Sequence, residues 1–100
     1  MSTILHIVNQ SPFASTVLLQ CLNRINHDDG LVLLEDGVYS TTSQHPFAQD
    51  LGNIKHCYAI KNDLLARGIN LNDVLGNIQL IDYDEFVKLT IEFPLSHSWY

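Results

Sequence analysis

Short unbroken runs of apolar residues predict four buried strands. They are TILHIV at 3–8, LVLL at 31–34, HCYAI at 56–60 and IQLI at 78–81, all with few polar interruptions. Strands that are apolar on both faces are typical of a parallel sheet covered by helices on each side. The pattern therefore predicts a mainly parallel sheet.

Between the first two runs, apolar residues recur at the spacing of a helix. Ser11 and Pro12 predict its start, because a serine side chain can cap the first turn and proline fits the first helical position. The helix is expected to extend to about Ile25, before the glycine turn HDDG at 27–30. One apolar stripe supports it, formed by Phe13, Val17, Leu18, Cys21, Leu22 and Ile25.

A second helix is predicted after the fourth run. Asp82 and Glu85 form a capping-box pattern with aspartate at the cap, and Pro94 ends the helix. The six residues that follow, LSHSWY at 95–100, are predicted to be a short aromatic tail. The inward positions recur at i, i+3, i+4 and i+7, and they are Phe86, Leu89, Thr90 and Phe93.

Shorter elements are predicted in the middle of the chain. Asn62 can cap a helix over DLLAR, which Gly68 ends, and INLNDVLG at 69–76 holds a further turn of helix. The segment 38–53 mixes turn formers with a short helix around Pro46 to Leu51, and is expected to be largely a loop.

Strand and helix alternate four times along residues 1–100, with no internal repeat or linker. This alternation predicts a single α/β domain with three layers, in which a mainly parallel sheet of four to five strands is flanked by helices. A chain of 100 residues buries only ~60–65% of its unfolded surface. Docking onto partners would therefore add to its stability.

The charge of the chain disfavours direct binding to nucleic acid. Asp and Glu total 11, whereas Lys and Arg total 5, so the net charge is −6. The five basic residues are scattered, and nucleic-acid binding needs clustered positive charge. The same shortage disfavours a role at a membrane surface.

Location is predicted from the apolar runs and the cysteines. No run approaches the ~20 residues that a membrane span needs. The opening residues MSTILHIVNQ lack the basic and apolar regions of a signal peptide. Two cysteines, Cys21 and Cys57, fit a reducing compartment better than a disulfide framework. A cytoplasmic protein is predicted.

Glu35 and Asp36 stand side by side at the abrupt end of the second apolar run, followed by Gly37. Ligands of open α/β sheets bind beyond the carboxyl ends of strands, which makes the position a candidate site. Neighbouring residues of an extended chain point to opposite faces, so the carboxylates can share a proton or a metal only if the chain turns there. A polar strand end is also an ordinary way to leave the core. The pattern favours this turn-forming role.

Cys21 is the candidate reactive thiol. Sulfur chemistry needs an accessible thiolate, which a nearby cation such as Arg24 would favour. Cys21 also belongs to the apolar stripe, and a buried free cysteine behaves as a small hydrophobic residue. Its spacing favours this second interpretation. For Cys57, inside a predicted core strand, that interpretation is stronger.

Neither a cofactor nor a metal is predicted. The five histidines lack zinc-type spacing, there is no CxxC pair, and the five glycines form neither GxGxxG nor a P-loop. Two large aromatic residues, Trp99 and Tyr100, follow the last helix. They either pack back on their own domain or anchor a partner, because Trp and Tyr are enriched at interface hot spots. The sequence leaves both alternatives open.

Several blocks of the chain resemble the TusB/DsrH family, which supplies one subunit of a sulfur-relay complex. They are ILHIVNQSPF at 4–13, LLEDGVYS at 33–40, DLLARGI at 63–69 and LIDYDEFVKLT at 80–90, together with Trp99. The resemblance covers nearly the whole chain in the expected order. It implies the small α/β fold of the DsrEFH type.

The resemblance also implies partners and a pathway. Members assemble with TusC/DsrF-like and TusD/DsrE-like subunits, typically as a heterohexamer with two copies of each. The Tus branch passes persulfide sulfur toward 2-thiouridine at the tRNA wobble position, and the Dsr branch serves cytoplasmic sulfur oxidation. The main sulfur-accepting cysteine belongs to the TusD/DsrE-like subunit. This chain is therefore expected to be accessory or structural and not catalytic alone, with a homo-oligomer of the isolated chain left open.

The resemblance bears on two candidate sites. Cys21 lies where many DsrH-like members carry a cysteine, which keeps open an alternative function as a sulfur-handling thiol in sulfur oxidation. Glu35-Asp36-Gly37 resembles a family signature at a strand end. It is predicted to shape the loop and a subunit contact, and Trp99 and Tyr100 are the other interface candidates.

Overall fold

Five strands form one sheet in the computed structural model of the chain, which describes residues 3–100. They are β1 (Ile4–Val8), β2 (Gly30–Leu33), β3 (His56–Ile60), β4 (Ile78–Ile81) and β5 (Leu95–Trp99). Across the sheet their order is β4-β3-β2-β1-β5, and each neighbouring pair is parallel. The predicted parallel sheet is confirmed, at the upper end of the expected strand number.

Helices connect the strands and cover both faces of the sheet. They are α1 (Val17–Leu22), α2 (Ala48–Gly52), α3 (Lys61–Ala66) and α4 (Tyr83–Glu92), with 3₁₀ segments at Glu35–Thr41 and Leu71–Asp73. Within residues 3–100, no helix is both long and apolar enough to cross a membrane.

The core consists of two clusters, because successive side chains of a strand point to opposite faces of the sheet. On one face, β2 packs against α1, α2 and α3 through Leu31, Leu33, Leu18, Leu51 and Leu64. On the other face, α4 contributes Leu89 to a cluster completed by Leu5, Val32, Ile60 and Ile81. The sheet is therefore the middle of three layers, as the alternation of elements predicted.

The capping box predicted for the last helix is present at the start of α4. The Glu85 N–H donates to Asp82 Oδ1 at 2.8 Å, and the Asp82 N–H donates to Glu85 Oε1 at 3.3 Å. Leu89 is buried as predicted, but Thr90 donates its hydroxyl to the Val87 carbonyl at the protein surface.

The predicted start of the first helix at Ser11 and Pro12 is wrong. Local hydrogen bonds hold residues 11–16 in turns, since Ser11 Oγ accepts from the Phe13 N–H and Ser15 Oγ from the Val17 N–H, each at 3.1 Å. Serine hydroxyls compete in this way with helical backbone bonding. The helix begins at Val17 and ends at Leu22, three residues before the predicted end.

The predicted aromatic tail is also wrong, because residues 95–99 form β5. Its backbone pairs with β1 over five positions, from Ile4 opposite Leu95 to Val8 opposite Trp99. The missed signal is the alternation of large and small side chains in LSHSW, which has the period of a strand.

The middle of the chain is more helical than predicted. Residues 35–41 form a 3₁₀ segment, and the expected short helix is present as α2. Helix α3 begins directly after β3 with Ile60 at its N-cap, so Asn62 lies inside the helix and is not the cap. Gly68 has a φ of +70°, the left-handed conformation expected of a glycine that ends a helix.

Candidate functional site

Glu35 and Asp36 lie where β2 gives way to the 3₁₀ segment, and their polar groups have separate partners. The Glu35 N–H donates to Asp63 Oδ2 at 2.8 Å, whereas Asp36 Oδ1 accepts from Arg67 Nε at 2.9 Å. Glu35 has a φ of +50°, so the chain does turn sharply at this point. These contacts account for the loop geometry, and a subunit contact at Glu35 and Asp36 stays a prediction.

Asp63 is the residue that organises this corner of the fold. Its carboxylate is mostly buried, and it accepts from the hydroxyl of Tyr83 as well as from the N–H of Glu35, both at 2.8 Å. One side chain thus joins the end of β2 to the first turns of α3 and α4. Asp63 was not among the predicted site residues, although its place four residues before Arg67 in a helix was an available signal.

The charges of this corner shift the pKa values of two side chains. The hydrogen bond to Asp63, followed by burial, raises the pKa of Tyr83. The hydrogen bond to Asp36 is the largest of the effects that raise the pKa of Arg67. Tyr83 therefore stays neutral and Arg67 positive near neutral pH. The polar groups of this corner are therefore hydrogen-bonded to one another, and their contacts hold α3 and α4 in place.

The close approach of this turn to β1 explains why position 37 is a glycine. A Cβ atom added at Gly37 would overlap the carbonyl oxygen of Val8, at the end of β1. The backbone of the 3₁₀ segment therefore lies directly against β1. Only glycine fits here without a shift of the backbone, because every other residue carries a Cβ atom. The Glu-Asp-Gly motif thus has a structural explanation in the isolated chain.

Both cysteines lie in the core. Cys21 of α1 is fully buried, and its pKa is raised to about 12 by burial and then by the negative charge of Asp29. Cys57 of β3 is 2% exposed, and burial is also the main reason why its pKa is raised to about 12. A thiolate is the form that attacks sulfur. The sulfur role of Cys21 stays a prediction, and it would require the helix to open or rearrange.

Trp99 packs back on its own domain, which is one of the two alternatives for the terminal aromatic residues. Its indole Nε1 donates to His6 Nδ1 at 3.0 Å, and its ring stacks on His6 and lies 4.4 Å from the ring of His97, measured between centroids. Tyr100 is 85% exposed. A partner-anchoring role therefore stays a prediction for both, with Tyr100 the more accessible.

A buried polar pair beneath Trp99 was not predicted from the sequence. His6 Nε2 lies 2.9 Å from Asp29 Oδ2, and both residues are 3% exposed. Asp29 also accepts from the backbone N–H groups of Ile4 and Asn26. Burial acts to raise the pKa of Asp29, but these hydrogen bonds and the His6 bond outweigh it, so the pKa is lowered. The pair ties β1 to the loop before β2.

The described residues offer no preformed metal site. Within residues 3–100, no three His, Cys, Asp or Glu side chains converge as metal ligands. A groove of about 260 Å³ lies beside α4. It is lined mainly by charged residues of α4 and by residues of β3 and β4.

Exposed apolar residues form a more distinctive surface on α4. Tyr83, Val87 and Ile91 are spaced four apart along the helix and are 46%, 56% and 78% exposed. Residues at this spacing lie on one face of a helix. A contiguous apolar strip of this kind is a common mark of a protein–protein contact.

Comparisons with a family profile and with individual proteins agree on one family. The profile of the family described as "DsrH like protein" matches residues 10–95. "Protein TusB" of Escherichia coli K12 is 34% identical over 97 residues, covering 96% of this chain and 100% of that protein. "Protein TusB" of Buchnera aphidicola is 32% identical over the same coverage.

Two solved structures share the fold. The crystal structure of the ychN protein from Escherichia coli superposes with a TM-score of 0.80 at 18% identity, covering 98% of this chain and 99% of that one. A Thermotoga maritima protein solved by NMR gives a TM-score of 0.68 at 28% identity, over 90% and 93%.

Proposed function

The chain belongs to the TusB/DsrH family, and on that premise we propose that it is a subunit of a sulfur-relay complex. The observation that carries the proposal is the match to proteins named TusB along 96% of the chain. In this function the complex passes persulfide sulfur toward 2-thiouridine at the tRNA wobble position, in the cytoplasm.

Within such a complex the chain has an accessory or structural role. Both thiols are buried, and the pKa of each is raised to about 12, which disfavours the thiolate. The sulfur is accepted instead by a cysteine of a TusD/DsrE-like partner. Contacts with tRNA also fall to other subunits, because the net charge of this chain is −6.

The partners are TusC/DsrF-like and TusD/DsrE-like subunits, with two copies of each subunit in the assembly. The exposed apolar strip of Tyr83, Val87 and Ile91 supports the proposal of partner subunits, because such a strip is commonly buried against another protein. Tyr100, Glu35 and Asp36 are further contact candidates, because all three are exposed.

The alternative is a DsrH-type subunit of sulfur oxidation in which Cys21 itself carries sulfur. This alternative requires the thiol to become accessible in the assembled complex. It differs from the leading proposal in one measurable respect, which is the presence of added sulfur on Cys21 during turnover.

The test uses the chain co-expressed with its TusC-like and TusD-like partners. The purified complex is treated with a persulfide donor, and the mass of each subunit is measured intact. The expected result is one added sulfur on the TusD-like subunit and none on this chain. Cys21→Ala is the control, and its complex should assemble and load sulfur normally.

Cells lacking the chain provide the functional measurement. We expect these cells to lose 2-thiouridine from their tRNA. The wild-type chain and Cys21→Ala should restore it equally. If Cys21→Ala assembles but fails to restore thiolation, Cys21 carries sulfur and the accessory role is wrong. If the chain neither binds the partners nor affects thiolation, the leading proposal as a whole is wrong.

A further inference from the structure

Strand β5 is an edge strand whose outer side is open. It pairs on one side with β1 over five consecutive positions, and the order of strands places no described neighbour on its other side. Leu95, Ser96, His97 and Ser98 are all exposed. The outward backbone N–H and C=O groups of such an edge are free to pair with another strand.

This edge lacks the features that usually prevent pairing between proteins. Natural edge strands are protected by lysine, by proline within the strand or by a bulge. Between Leu95 and Trp99 the only ionisable side chain is that of His97, and there is no proline. The register of this segment with β1 is unbroken. Although the net charge of the chain is −6, β5 itself contributes no carboxylate that would oppose the pairing of two copies.

We propose that β5 pairs antiparallel with β5 of a second copy of this chain, about a two-fold axis at His97. In this register Leu95 lies opposite Trp99 of the copy, and Ser96 lies opposite Ser98. Large therefore meets large and small meets small, on the same face of the joined sheet. Aromatic and apolar residues in cross-strand contact stabilise paired strands.

Geometry selects this register. In the β1–β5 register, Leu95, His97 and Trp99 point to one face of the sheet, and Ser96 and Ser98 point to the other. A two-fold axis perpendicular to the sheet leaves each side chain on its original face, and directly opposite residues must point to the same face. One residue must therefore lie opposite the same residue of the copy, with the axis midway between the two. Only the axis at His97 pairs all five residues of the strand.

The opposite edge of the sheet is less suited to the same contact. Strand β4 has four residues, so a symmetric register about Gln79 or Leu80 pairs only three of them. Ile78 and Ile81 are already buried in the core of their own chain. The choice of β5 over β4 can therefore be tested by matched substitutions on the two edges.

The inference does not rest on the sulfur-relay proposal, since it concerns the full chain by itself. The association of the wild-type chain is measured by sedimentation over a concentration series. His97→Lys places two like charges opposite each other on the proposed axis, and it should weaken the dimer by about tenfold or more. Gln79→Lys makes a similar change on β4 and should leave the dimer unchanged.

Three outcomes would overturn the proposal. They are a wild-type chain that stays monomeric at all concentrations, a His97→Lys chain that dimerises like wild type, and an equal loss in Gln79→Lys. Ile91→Lys tests whether the dimer forms through the apolar strip of α4 instead of through β5. If this variant loses the dimer and His97→Lys does not, the contact lies on α4.

Cross-linking tests the register directly. In His97→Cys the two new thiols lie opposite each other, close enough for a disulfide. Mild oxidation should give a disulfide-linked dimer on a non-reducing gel, while Ser96→Cys, which faces Ser98 of the copy, should give much less. Equal cross-linking of the two variants would contradict the register. The native thiols do not interfere, because Cys21 and Cys57 are buried.

Discussion

The indole Nε1 of Trp99 donates a hydrogen bond of 3.0 Å to Nδ1 of His6. An indole N–H can only donate, so Nδ1 must accept, and the proton of the imidazole is on Nε2, facing Asp29 at 2.9 Å. A chain of three side chains therefore joins the edge strand β5 to β1 and to the loop before β2.

Trp99→Phe should destabilise the fold through this bond. The substitution removes the donor and leaves the buried Nδ1 of His6 without a partner, which costs about 1–3 kcal/mol. Urea unfolding measures the difference. Tyr100→Phe, at the exposed neighbouring position, should change the free energy of unfolding by less than about 0.5 kcal/mol. Equal stability of the wild-type chain and Trp99→Phe would show that the bond contributes nothing.

Asp29 should make stability depend on pH in the acid range. Its pKa in the folded chain lies below the ordinary value of 3.8, so the unfolded chain binds its proton first as the pH falls. The contribution is fully present above about pH 4–5 and is lost as the pH falls through the lowered pKa. The measurement is the free energy of unfolding of the wild-type chain and of Asp29→Asn across this range.

The stability difference between these two chains is the informative quantity. It should be constant near neutral pH and shrink on acidification, because a protonated Asp29 is neutral, as is the amide side chain of the variant. A difference that stays constant down to the acid transition would contradict the lowered pKa of Asp29.

Both native thiols should react slowly. With pKa values raised to about 12, roughly one thiol in 10⁵ is ionised near neutral pH. Alkylation of the folded chain should therefore be at least about a hundredfold slower than alkylation of the chain unfolded in urea. Cys21→Ala separates the rate of Cys57 from that of Cys21. Rapid labelling of Cys21 in the folded chain would show that α1 opens readily.

Asp63 and Asp36 should differ in their contribution to stability although both contact Arg67. Asp63→Ala leaves the Tyr83 hydroxyl and the Glu35 N–H without their acceptor, which costs about 1–3 kcal/mol or more. Asp36→Ala breaks an exposed ion pair, worth about 0–1 kcal/mol. Chemical unfolding of the two variants gives the comparison, and equal losses would be inconsistent with Asp63 as the organising residue.

Gly37→Ala should be strongly destabilising because the added Cβ would overlap the Val8 carbonyl oxygen, which is backbone and cannot rotate away. Overpacking of this kind costs about 1–3 kcal/mol. Gly76→Ala is the matched control, since an added Cβ there meets no atom within 4 Å. Thermal and urea unfolding of both variants measure the effect, and similar stabilities would mean that the 3₁₀ segment shifts easily.

The pattern of the sequence predicted much of the fold. Four apolar runs became β1 to β4 because their burial on both faces leaves a local signature of consecutive apolar residues. The capping box at Asp82 and Glu85 was equally predictable, since both of its hydrogen bonds lie within one turn.

The errors arose where pairing with another strand, or local side-chain hydrogen bonds that compete with the helix, decide the outcome. Residues 95–98 are exposed and the segment 95–99 is mostly polar, and it becomes a strand only because β1 offers a backbone edge beside it. The predicted helix start at Ser11 failed because serine side chains satisfied the backbone in turns instead. In the candidate site, the Glu35-Asp36 motif was visible in the sequence, but its contacts with Asp63 and Arg67, which span 28 and 31 residues, were not.

By itself, the sequence determined the parallel α/β architecture, the last helix and the family resemblance, because these depend on periodicity and on blocks of consecutive residues. Only the tertiary structure decided which polar groups meet. His6 and Asp29 are 23 residues apart, and His6 and Trp99 are 93 apart. Pairs at such separations leave no local period in the chain, and they form only when the sheet brings β1, β2 and β5 together.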